Sequence, residues 1–76
     1  MTLYDFIQLR QTEKTKTVWE GRFLSTKVEK EETIVLYGVY DFFCEVYYDN
    51  KKNSIVRLKP FRAKELLSTF FSSQLN

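Results

Sequence analysis

The chain of 76 residues has no histidine, one cysteine (Cys44), one proline (Pro60) and two glycines (Gly21 and Gly38). Without histidine, the commonest general base and metal ligand is missing. A single cysteine forms no internal disulfide and no thiolate metal cluster, so no metal and no cofactor is expected. Secreted domains of this size are usually stapled by disulfides, which makes a cytoplasmic location the expectation. Two glycines leave little room for a Gly-rich phosphate loop. No run approaches the ~20 apolar residues that cross a bilayer, so no membrane partner is expected. The opening Met1-Thr2-Leu3-Tyr4-Asp5 is polar and acidic and does not read as a signal peptide.

Aromatic residues are plentiful: seven Phe, five Tyr and one Trp. Aromatics bury the most area per residue and help a short chain build a core. The length fits one domain, residues 1–76.

Helical spacing marks the start of the chain. Residues 2–10 read as a short helix with Thr2 as N-cap, Asp5 in the first turn and a stripe of Leu3, Phe6, Ile7 and Arg10. Residues 12–20 read as a second helix capped by Thr12, with Thr15, Val18 and Trp19 inward and Gly21 as its stop. Its three Thr residues argue for a strand instead.

The period then changes to two. Strands are expected over residues 22–28, 33–40, 42–48 and 54–59, the last closed by Pro60. Glu29-Lys30-Glu31-Glu32 and Asp49-Asn50-Lys51-Lys52-Asn53 read as polar turns. Residues 62–71 form the clearest pattern: Ala63, Leu66, Leu67, Phe70 and Phe71 fall on one helical face. The expected fold is α+β, a two-layer domain with a four-stranded antiparallel meander, N-terminal helices and a C-terminal amphipathic helix, in the order α-α-β-β-β-β-α. Helices at both termini are expected to cover one face of the sheet.

A two-residue turn at Tyr40-Asp41 fixes the central hairpin. Val35, Tyr37, Val39, Phe42, Cys44, Val46 and Tyr48 then share one face, placed against the helices. The other face carries Ile34, Leu36, Gly38, Phe43, Glu45 and Tyr47. It should meet water, yet only Glu45 is charged. Either the chain's own helices or a partner must cover it. Ile34, Leu36, Phe43, Glu45 and Tyr47 are therefore the candidate protein interface, with Arg57 as the counter-charge for Glu45.

Catalytic readings are weak. Cys44 in mid-strand reads as a small core residue, since no base is present to activate it. Asp41, Glu45 and Asp49 share no face on strands and turns. Asp49 to Ser54 resembles a calcium loop only in passing: its sixth position is Ser54, and Pro60 stands where the closing Glu belongs.

Charge is uneven. Residues 1–48 hold six Lys/Arg against eight Asp/Glu, and residues 49–76 six against two. Lys51, Lys52, Arg57, Lys59, Arg62 and Lys64 are candidate contacts for nucleic acid, with Tyr47 as a stacking ring. The net charge of +2 makes this the second reading.

The runs Val18-Trp19-Glu20-Gly21-Arg22-Phe23-Leu24, Val35-Leu36-Tyr37 and Phe42-Phe43-Cys44-Glu45-Val46-Tyr47-Tyr48-Asp49 resemble a family of small uncharacterised bacterial proteins. The resemblance runs from Val18 to Leu67 and implies a stand-alone cytoplasmic domain, with no activity, cofactor or catalytic residue to carry over. The leading expectation is a non-enzymatic, self-associating or protein-binding module.

Overall fold

Thr2 and Asp5 hold each other at the start of the first helix. In the computed structural model, which describes residues 1–63, the Thr2 N–H donates to Asp5 Oδ2 at 3.1 Å and the Asp5 N–H donates to Thr2 Oγ1 at 3.2 Å. This reciprocal pair satisfies two N–H groups that a helix start leaves free. The Thr2 N–H also holds the Asp5 carboxyl below its ordinary value. Helix α1 (Leu3–Ile7) is shorter than the spacing suggests. Of its stripe only Phe6 is buried, while Ile7 is half exposed.

The cap of helix α2 (Gln11–Trp19) lies two residues before the expected Thr12. Arg10 is the N-cap, and its N–H donates to Glu13 Oε1 at 3.2 Å. The Thr residues that argued for a strand are accommodated by hydrogen bonds to the preceding turn. Thr15 Oγ1 donates to the Gln11 carbonyl at 2.9 Å, and Thr17 Oγ1 to the Glu13 carbonyl at 2.8 Å. Val18 is fully buried, but Trp19 does not face inward. It stands 51% exposed, edge-on to Tyr37 with ring centroids 5.3 Å apart. The Gly21 N–H then closes on the Val18 carbonyl at 2.9 Å.

Four strands follow: β1 (Arg22–Glu29), β2 (Glu32–Val39), β3 (Phe42–Asp49) and β4 (Ser54–Phe61). They form one antiparallel sheet in the order β1-β2-β3-β4. The two helices and this open sheet are an α+β architecture. Strand β4 does not stop before Pro60 but runs through it to Phe61. It is an edge strand, so a residue without an N–H is tolerated there.

The Tyr40-Asp41 turn sets the register as expected: Val39 faces Phe42, Tyr37 faces Cys44, and Val35 faces Val46. Tyr40 takes a left-handed φ of 54°, as does Lys30 in the β1–β2 turn. The first sheet face meets the helices, with α2 over β2 and α1 over β4. Phe6, Val18, Val39, Phe42, Cys44 and Val46 form the core, flanked by Leu3, Leu9, Val35, Tyr37, Ile55 and Leu58. Phe6 and Phe42 are tilted rings 5.3 Å apart.

Each edge strand carries one extra residue. Leu24 interrupts the β1–β2 pairing, and Val56 interrupts the β3–β4 pairing. Such bulges twist an edge away from further strand pairing. The helix expected over residues 62–71 and the tail 72–76 lie, from Lys64 on, outside the described residues. No described helix is long and apolar enough to cross a membrane.

Candidate functional site on the second sheet face

The register brings the five candidate interface residues together. Ile34 lies opposite Tyr47, Leu36 opposite Glu45, and Gly38 opposite Phe43. All point away from α1 and α2, because side chains alternate along a strand. Strand β4 adds Arg57 opposite Tyr47, Lys59 opposite Glu45, and Phe61 opposite Phe43. Phe43 and Phe61 stack with centroids 5.8 Å apart and planes at 25°.

Ile34, Leu36 and Glu45 are only 5%, 4% and 6% exposed. Phe43 and Tyr47 are half-buried, so none of the five is exposed.

Glu45 is the one buried charged residue among those described. Its carboxylate accepts a hydrogen bond from the Tyr47 hydroxyl at 3.0 Å. The Arg57 guanidinium lies 4.0 Å over the Tyr47 ring. This stack is an attraction between a cation and the negative face of the ring. Arg57 is therefore not the cross-strand partner of Glu45; Lys59 holds that place. The extra residue Val56 sets this register, and alternation alone does not locate a bulge. Burial raises the Tyr47 hydroxyl above its ordinary 10.0, and its bond to Glu45 raises it further.

Cys44 sits on the opposite, core face and is fully buried. Its Sγ donates to the Glu45 carbonyl at 3.7 Å. Burial pushes the thiol up from 9.0 to about 12, the opposite of what a thiolate nucleophile requires. Among the described residues, no three acidic or thiol groups gather where a metal could be held. Asp49 Oδ1 accepts from the Lys51 and Lys52 N–H groups at 2.9 and 3.0 Å, which makes the calcium-like stretch a self-closed turn.

The candidate nucleic-acid residues are dispersed. Arg57 and Lys59 belong to the second face. Lys51 and Lys52 lie in the β3–β4 loop, where Lys51 Nζ is 3.9 Å from Glu31. Arg62 follows β4 and donates to the Tyr4 hydroxyl at 3.3 Å. Lys64 lies outside the described residues.

The sequence reasoning missed Lys59 and Phe61 as members of this face. The signal was the parity of Arg57, Lys59 and Phe61, which a strand ended at Pro60 conceals. No family model matches the chain, and neither a curated protein nor a solved structure shows significant similarity to it.

Proposed function

We propose that the protein is a non-enzymatic interaction module that works through the second sheet face, with a second copy of itself as first partner. One observation carries this reading. The sheet bears apolar side chains on both faces, while α1 and α2 close only one. Ile34, Leu36, Phe43 and Phe61 line the other face, and a monomer that opened it would present a large apolar patch, which soluble monomers seldom expose. A two-fold pairing of identical faces buries such a patch with no further partner. The edge strands favour face-to-face over edge-to-edge contact, since both are bulged and β4 contains Pro60. The likeness to small bacterial proteins fits a cytoplasmic domain of this kind and supplies no activity.

Nucleic-acid binding is the second reading, supported by Arg57 and Lys59 on one face. It is the weaker one because Arg57 already covers the Tyr47 ring on which a base would stack. Analytical ultracentrifugation at tens of micromolar tests the leading reading. Wild type should sediment as a dimer and Phe43→Glu as a monomer. A monomeric wild type overturns it. Binding of generic RNA or DNA that weakens steeply with salt would favour the second reading.

A further inference from the structure

Three rings meet where helix α2 ends against the sheet. Tyr37, on the first face of β2, is half-buried and forms the floor. Trp19 reaches it from the last residue of α2, with centroids 5.3 Å apart and planes at 69°. Phe23 reaches it from edge strand β1, at 6.2 Å and 80°. Trp19 and Phe23 are 51% and 57% exposed, since α2 packs over β2 and α1 over β4 and the first face of β1 is left open. Rings set steeply against a common neighbour form an open corner rather than a flat stack.

Ring faces are negative, so such a corner attracts a cation. The carboxy-terminal end of α2, where Trp19 stands, carries partial negative charge of its own. Lys16 and Glu20, both exposed and one turn apart, offset each other. The chain shows the same chemistry twice elsewhere: Arg57 lies 4.0 Å over the Tyr47 ring and Arg62 5.8 Å over the Tyr4 ring. Among the described residues, no such cation covers Trp19, Phe23 or Tyr37.

We propose that this corner binds a quaternary or trimethylated ammonium group. A cation is held within about 6 Å of a ring centroid, and the spacing here brings Tyr37 and a neighbouring ring within that reach together. The methyl groups pack on the rings while the charge meets their faces. A primary ammonium is strongly hydrated and gives up more on leaving water, which an open corner does not return. The site is on the face opposite the proposed self-association surface and stands or falls independently of it.

Trp19 is the sole tryptophan, so its fluorescence reports the corner directly. Choline titrated into the full chain should give a saturable change. The neutral tert-butyl analogue of choline should bind about two- to fivefold more weakly, the range expected for a cation over an exposed ring. Ethanolamine, with its primary ammonium, should also bind more weakly. Phe23→Leu stays apolar but loses the ring face, and should weaken choline about two- to fivefold with an unchanged far-ultraviolet circular dichroism spectrum. A peptide carrying trimethyllysine is the second arm. Binding tighter than choline supports the site and places the group on a protein partner; weaker binding than choline supports it and places the group on a free small molecule. Absence of a saturable change with both choline and the peptide overturns the proposal. So does a tert-butyl analogue or ethanolamine that binds as tightly as choline, or a folded Phe23→Leu chain that binds choline unchanged. The comparison of analogues on wild type decides the matter even where the variant does not fold.

Discussion

Tyr47 and Glu45 lie two residues apart on β3, on the same face, and the Tyr47 hydroxyl donates to the Glu45 carboxylate at 3.0 Å. The carboxylate is buried, so this bond replaces water that the group has lost. The Arg57 guanidinium over the Tyr47 ring then brings positive charge to the pair without touching the carboxylate directly. An acid at the centre of an apolar face is held by a hydrogen bond from its own strand.

Tyr47→Phe removes the donor and leaves the ring. Stability should fall by about 1–3 kcal/mol, the usual cost of leaving a buried polar group unsatisfied. Urea unfolding reads it directly. An unchanged midpoint would mean that Glu45 finds solvent or another donor.

Stability should decline at alkaline pH. Both Cys44 and Tyr47 are held protonated in the folded chain, the first to about 12 and the second above 10.0. Above their unfolded values the folded state binds more protons than the unfolded one, so stability falls as pH rises. The contribution of Cys44 is intact below about pH 9 and is lost progressively toward about 12. Denaturation of wild type and of Cys44→Ala between pH 7 and 11 should show a shallower alkaline decline in the variant. Parallel curves would count against it, as would fast alkylation of native Cys44 at neutral pH.

Gly21→Ala should destabilise the chain by about 1–3 kcal/mol. A Cβ at this position would lie 2.5 Å from the Gly38 carbonyl oxygen and 3.1 Å from that of Val18. Both are backbone atoms, so the junction between α2 and β1 must move. Gly38→Ala is the control: its nearest neighbour would be Leu24 Cδ1 at an ordinary 3.5 Å. A thermal scan in which both variants lose stability equally would contradict the close approach.

Tyr40→Gly should stabilise. Tyr40 is 70% exposed and holds φ at 54°, where an L side chain costs roughly 1–2 kcal/mol. Glycine removes that cost and gives back part of it in chain entropy, for a net gain of about 0.5–1 kcal/mol. The midpoint should rise by about 2–8 °C for a domain of this size. A lower midpoint would show that the Tyr40 ring contributes packing that its exposure conceals.

Phe6→Ala should cost about 3–5 kcal/mol, since the ring is fully buried against Phe42. This tests whether the short helix α1 is an integral part of the core. A loss below about 1 kcal/mol would make α1 peripheral.

The sequence alone determined the presence of four strands and the two faces of the central hairpin. Period-two runs of β-branched and aromatic residues mark strands, and a two-residue turn leaves a single parity for Val39 and Phe42. That parity is a local property and was readable without the fold. The tertiary structure decided what alternation cannot express. The bulges at Leu24 and Val56 shift the register by one residue on each edge, which put Lys59 opposite Glu45 and Arg57 over Tyr47. Pro60 looked like a strand end, because its missing N–H matters only on a strand paired on both sides, and position in the sheet is not a local property. The Thr-rich second helix was ambiguous for a like reason: its Thr hydroxyls satisfy either a strand surface or the preceding helical turn, and only packing of Val18 into the core selects between them.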